Sequence, residues 1–172
     1  MLKMIGLALI MISGAGLGYS AGREYMLREK NLRQLFLLTV YLRGEIRCGN
    51  SSLPEAFGEI SMRLDNNWGK LAKKISEELK SVEGMSLESL LSGKLCPEIR
   101  QLHFTAEEVQ LVISLGSRLG YLDREMQLRQ LELYEEELNQ HIHELHEKIP
   151  EKRKICQSLG IMGGFLLAIL LW

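Results

Sequence analysis

Two apolar stretches, one at each end of the chain, constrain this sequence more than any other feature. From Met4 to Tyr19 almost no polar atom interrupts the run. With Ser20, Ala21 and Gly22 it reaches about 20 residues, or roughly 30 Å of helix, which matches the hydrocarbon core of a bilayer. Ile155 to Trp172 forms a second apolar run of roughly 27 Å, closed by a tryptophan suited to the membrane interface. All of the 22 acidic residues lie between Glu24 and Glu151, so the formal net charge of -1 conceals two uncharged ends and a charged middle. The sequence therefore predicts a transmembrane helix over 1–22, a polar body over 23–154 and a second transmembrane helix over 155–172.

Charge placement sets the expected orientation. Arg23, Arg28, Lys30 and Arg33 follow the first run, and Lys148, Lys152, Arg153 and Lys154 precede the second. Basic residues resist translocation, so both flanks place the middle in the cytoplasm and both termini on the far side. A cleaved signal peptide is the competing reading of residues 1–21, because Lys3 precedes a short apolar core and Ser13, Gly14 and Ala15 resemble a cleavage site. The basic cluster before the second run argues against it, since export of the middle would leave that cluster on the wrong side. Small residues recur at intervals of four: Gly14, Gly18 and Gly22 in the first run, and Gly160, Gly164 and Ala168 in the second. Such ridges let helices pack closely in lipid.

Between the runs apolar residues recur at helical spacing and no alternating strand pattern is present, so the fold class is all-α: an antiparallel bundle of about six helices. Tyr25, Leu32, Leu35, Leu42 and Ile46 form one stripe, predicting that the first helix continues until Gly49 and Asn50 break it. Ser52 with Glu55 is a capping box for a helix carrying Leu53, Ala56, Phe57, Ile60 and Leu64. Trp68, Leu71, Ala72, Ile75 and Leu79 mark another, and Ser86 opens a short one that buries Leu87, Leu90 and Leu91 before Gly93 and Pro97 close it. Thr105 with Glu108 caps a helix whose Val109, Val112, Ile113 and Gly116 offer a narrow face for a close neighbour. From about Asp123, Leu128, Leu131, Leu138, Ile142, Leu145 and Ile149 keep a near-heptad repeat, broken once by Glu135. Pro150 is expected to kink or end that helix.

Little in the chain points to chemistry. Cys48, Cys96 and Cys156 are odd in number and far apart, which fits neither a disulfide framework nor a zinc site. His141, His143 and His146 with Glu144 and Glu147 form the one cluster resembling a metal site. His141 and His143 point about 200° apart on a helix, however, so the three cannot converge on one ion. A membrane-tethered metal or redox enzyme built on that region is the competing reading from another class. No catalytic triad order, HExxH or phosphate loop is present, so no catalytic residue, cofactor, metal or small-molecule substrate is expected. Absent a basic excess, nucleic acid is excluded as a partner. Glu135, Glu136 and Glu137 read as surface, with Tyr134 beside them available to a partner.

The stretch Leu115-Gly116-Ser117-Arg118-Leu119-Gly120-Tyr121-Leu122-Asp123, then Tyr134-Glu135-Glu136-Glu137-Leu138, resembles the F-type platform domain of type II secretion and type IV pilus machines. Ser117 stands where that pattern usually has a glutamate. Gly44-Glu45-Ile46-Arg47-Cys48-Gly49 with Leu53-Pro54-Glu55-Ala56 is similar to the opening of the same domain. In length, in its two end runs and in Ser158 to Leu166, the whole chain resembles the stage III sporulation protein AB family of endospore-forming bacteria. That resemblance implies a membrane component of the channel complex linking mother cell and forespore, on the mother-cell side of the membrane around the forespore. It also implies a secretion-type ATPase and other channel subunits as partners. A platform subunit of another secretion or pilus system would normally need a third span and a second bundle. Exposed charges at helix ends steer association, which makes Glu45, Arg47, Arg118, Asp123, Arg124 and Glu125 the expected contact surface for a partner.

Overall fold

The computed structural model describes residues 2–48, 52–81, 84–120 and 123–170, with side chains in the outer parts of the first and last helices described at some positions. Among the described residues there are seven helices and no strand. They are α1 (Leu2–Cys48), α2 (Leu53–Ile60), α3 (Asn66–Ser81), α4 (Leu87–Ser92), α5 (Cys96–Arg100), α6 (Ala106–Ser117) and α7 (Arg124–Leu170). The all-α class holds. Each terminal apolar run is continuous with a helix of the body, so α1 and α7 are 47 residues each. Among the described residues, no helix is long and apolar enough to cross a membrane. The chain divides into two compact units, residues 1–29 with 143–172, and residues 30–142.

In the 30–142 unit every helix contributes an apolar stripe to one core. Leu32, Leu35, Leu38 and Leu42 of α1 are buried, as are Phe57 and Ile60 of α2, Trp68 and Ile75 of α3, and Leu90 and Leu91 of α4. Leu95, Ile99, Val112, Leu115, Leu131 and Leu138 complete the set. Burying each such side chain is worth about 1.5–3 kcal/mol. Of the stripe predicted on α1, Leu32, Leu35 and Leu42 are buried and Leu38 and Thr39 join them, whereas Tyr25 and Ile46 are only partly covered. Thr39 avoids a lone buried hydroxyl by donating to the Leu35 carbonyl at 2.9 Å.

Local chemistry fixes where the short helices start. Ser52 donates its backbone N–H and its hydroxyl to Glu55 Oε2, both at 2.8 Å, which holds that carboxyl below its ordinary range. Thr105 N–H donates to Glu108 Oε2 at 2.7 Å, and Glu108 N–H returns a bond to the threonine hydroxyl at 3.3 Å. Both predicted boxes therefore form. The predicted break at Gly49 and Asn50 lies outside the described residues. Three expectations are corrected. Leu64 is not on α2, which stops at Ile60 in a turn. Pro97 opens α5 instead of closing a segment, because a proline in the first turn gives up an N–H that would be unpaired anyway. Pro150 does not end α7, which runs on to Leu170 at the expense of one backbone bond.

Two contacts set how the layers approach. Asn31 of α1 donates Nδ2–H to the Leu102 carbonyl at 2.6 Å and accepts from Trp68 Nε1 at 3.1 Å. One carboxamide thus ties α1 to α3 and to the loop after α5. At Gly116 the backbone of α6 meets α4 so closely that an added Cβ would lie 2.4 Å from the Glu88 nitrogen. This is the narrow face that the sequence predicts, and α4 is the neighbour. Gly120, at φ +116°, then turns the chain towards α7 in a conformation that L side chains rarely adopt.

These two kinds of glycine environment predict opposite outcomes. Gly116→Ala forces backbone against backbone and is expected to lower unfolding stability by about 2–3 kcal/mol. Gly44→Ala, where nothing lies within 4 Å, is expected to raise it by about 0.5–1 kcal/mol through helix propensity alone. Urea titration of the full chain in detergent, followed by tryptophan fluorescence, measures both.

Candidate partner-binding surface

The end of α1 and the start of α7 come together through one arginine. Arg124 donates Nε–H to the Ile46 carbonyl at 3.0 Å and a terminal N–H to the Arg47 carbonyl. The last carbonyls of a helix have no intrahelical partner and carry partial negative charge, so a guanidinium there satisfies both needs. Asp123 does the complementary work for α7, its Oδ1 accepting from Met126 N–H at 2.8 Å. Arg47, Cys48, Glu125 and Met126 are exposed around this junction. Of the six residues expected to contact a partner, the structure therefore gathers Arg47, Asp123, Arg124 and Glu125 in one place.

The other two are engaged elsewhere. Glu45 lies 3.8 Å from Arg63, whose guanidinium sits 5.9 Å from the centre of the Tyr41 ring. Arg118 lies over the Tyr134 ring at 4.8 Å and donates to Glu137 Oε2 at 2.8 Å. Glu137 is 13 residues beyond Arg124, roughly 20 Å along the helix, so Arg118 is not part of the same cluster. Tyr134 is fully buried, its hydroxyl donating to the Leu111 carbonyl at 2.6 Å, and burial raises its pKa. It packs α7 on α6 and is not available to a partner. The reading of Glu135 to Glu137 as surface is corrected at one position, because Glu135 is 8% exposed.

Glu135 belongs to a cluster that the sequence alone does not single out. Arg43 of α1 reaches it at 2.9 Å through Nε and reaches Glu132 at the same distance through a terminal nitrogen. The signal was the break that Glu135 makes in the heptad stripe: a charge at a seam position needs a counter-charge from the facing helix. In the other unit α1 and α7 also meet, at Glu29 and His146, 3.0 Å apart. His143 lies 3.4 Å from Glu147. Among the described residues no three His, Cys, Asp or Glu side chains are grouped to hold a metal ion. Gly22 is buried, while the surroundings of Gly14, Gly18, Gly160, Gly164 and Ala168 lie outside the described residues.

A family model described as stage III sporulation protein AB matches residues 3–172. No curated protein and no solved structure matches the chain.

The Arg43 cluster gives a pH-dependent prediction. Burial pushes the Glu135 carboxyl above its ordinary range, and Arg43 opposes the shift. A raised value means that the folded chain holds this proton more tightly than the unfolded chain does. The group therefore favours folding at low pH, and that contribution is lost as pH rises through the folded value. Arg43→Met removes the opposing charge and raises the value further. At neutral pH it should cost about 2 kcal/mol, less than for a fully buried pair because Arg43 is partly solvated. The cost should shrink on acidification as Glu135 takes up its proton. Urea midpoints of wild type and variant, compared across acidic and neutral buffers, test both the size and the trend.

Proposed function

We propose, from the premise that this chain belongs to the stage III sporulation protein AB family, that it is a structural platform of the channel complex between mother cell and forespore. It is held by two membrane spans, and its helical body docks a secretion-type ATPase on the mother-cell side. The observation that carries this reading is the grouping of residues 1–29 with residues 143–172 into one unit. The two apolar runs belong to that unit, and each is joined to the body by a basic flank. The two-span arrangement rests on those runs and flanks in the sequence. Within lipid, the ridges Gly14, Gly18, Gly22 and Gly160, Gly164, Ala168 pack the spans on each other or on further channel subunits.

Docking is assigned to the junction of α1 and α7. All four charges are exposed; Arg124 and Asp123 are also occupied in building the junction, as caps of the two helix ends, which leaves Arg47 and Glu125 to meet a partner. A partner would meet a patch with both signs of charge, a combination that selects orientation and association rate more than raw affinity. No step in this role requires the chain to perform chemistry.

Two measurements test the reading. In a Cys96→Ser, Cys156→Ser background made in vegetative cells, where the chain enters the outer cell membrane, a membrane-impermeant maleimide added to intact cells should leave Cys48 unlabelled until the membrane is permeabilised. Labelling from outside would reverse the proposed orientation. The double charge reversal Arg47→Glu, Glu125→Arg should weaken capture of the ATPase from the same complex by about tenfold while leaving the thermal unfolding midpoint in place. Unchanged capture would remove this junction as the docking surface.

A further inference from the structure

A cleft of about 370 Å³ lies between α3 and the α5 segment, lined by Asn67, Lys70, Leu71, Lys74, Glu98, Gln101 and Leu102. Its volume falls within the roughly 300–1,000 Å³ typical of ligand sites. The lining has two ammonium groups and one carboxylate. Lys74 is paired with Glu98, so the positive charge left over is that of Lys70. Beside these charges stand two carboxamides, each able to donate and accept, and two leucines.

The walls of this cleft are set in place by groups already described. The Leu102 carbonyl is held by Asn31 at 2.6 Å, and His103 follows at φ 61°, in the left-handed region that side chains other than glycine seldom occupy. On the α3 side, Trp68 next to Asn67 is tied to the same asparagine at 3.1 Å and packs edge-on against Phe104, ring centres 6.1 Å apart. A ligand entering here would order little of the protein, and preformed walls lower the entropic cost of binding.

We propose that this cleft anchors a short acidic segment of a partner protein, with a glutamate or aspartate carboxylate on Lys70 and an adjoining apolar side chain on Leu71 and Leu102. The carboxamides of Asn67 and Gln101 hydrogen-bond the peptide backbone, which needs a donor and an acceptor side by side. That feature favours a peptide over a free anion, which could use the donors only. The site does not depend on the proposed topology, and none of its residues belongs to the junction of α1 and α7.

The test uses the full chain in a neutral detergent and a fluorescein-labelled hexapeptide alternating glutamate and leucine, read by anisotropy at low and high salt. Binding should weaken at least about tenfold with Lys70→Glu and about as much when the peptide's glutamates are replaced by glutamine, and should fall with added salt. Lys70→Gln, a milder change at an exposed position, should give an intermediate loss. Equal binding of the glutamine peptide, or undiminished binding by Lys70→Glu and Lys70→Gln, would overturn the proposal. Displacement of the peptide by equimolar inorganic phosphate would also overturn it, by making the cleft a free-anion site. Capture of the chain on phosphatidylglycerol vesicles that depended on Lys70 would reassign the charge to lipid and have the same consequence.

Discussion

The antiparallel seam between α1 and α7 is the contact on which the rest of this molecule depends. Within the 30–142 unit, Arg43 faces Glu132 and Glu135, and Arg124 reaches back to Ile46, so charged and capping groups match the two helices over the last turns of α1. Both helices also turn apolar stripes into the common core: Leu131, Leu138 and Ile142 are buried on α7, as are Leu32, Leu35, Leu38 and Leu42 on α1. At about 1.5–3 kcal/mol for each buried side chain, that burial far outweighs the roughly 0–1 kcal/mol of an exposed ion pair. What the charges add is register. A slide of one turn would leave Glu135 buried without Arg43, and an unpaired buried carboxylate costs more than the pair contributes.

Between these two helices the five short ones fill the remaining core. α2 packs on α3 and α4 packs on α6, the two most extensive pairings among the short helices. They depend on small residues as much as on large ones. Gly116 admits the backbone of α4, and Ser76, buried on α3, donates to the Pro54 carbonyl at 2.6 Å. Two surface features follow from the packing. One is the charged junction where Arg124 caps α1, and the other is the cleft whose walls share Asn31 as a common tie. In both, buried or capping groups give the surface its shape, and exposed charges line it.

How much of this was legible from residues varied with the range of the interaction. The capping pairs Ser52 with Glu55 and Thr105 with Glu108 are three residues apart, so their chemistry is written in adjacent letters and both formed as read. Gly116 was recognisable as a close-approach position because small residues on a helix face have few other uses. Tyr134 and Glu135 were misjudged for one shared reason. A tyrosine beside three glutamates looks solvated in sequence, yet on α7 the Leu111 carbonyl and the Arg43 guanidinium come from helices 23 and 92 residues away. Pro97 was read as a stop and Pro150 as a kink or an end, since sequence shows that a proline is present but not whether its missing N–H was needed.

The amino-acid sequence by itself determined the helical class, the apolar ends, the caps and most of the core, because periodicity, capping and hydropathy act within a few residues. Only tertiary structure decided that Arg118 turns onto Tyr134, that Arg124 serves the end of α1, and that Lys70 and Lys74 face Gln101 and Leu102 across a cleft. Those outcomes depend on which distant groups arrive within about 3–5 Å, the range over which hydrogen bonds and ring contacts act. Spacing along the chain does not encode that distance.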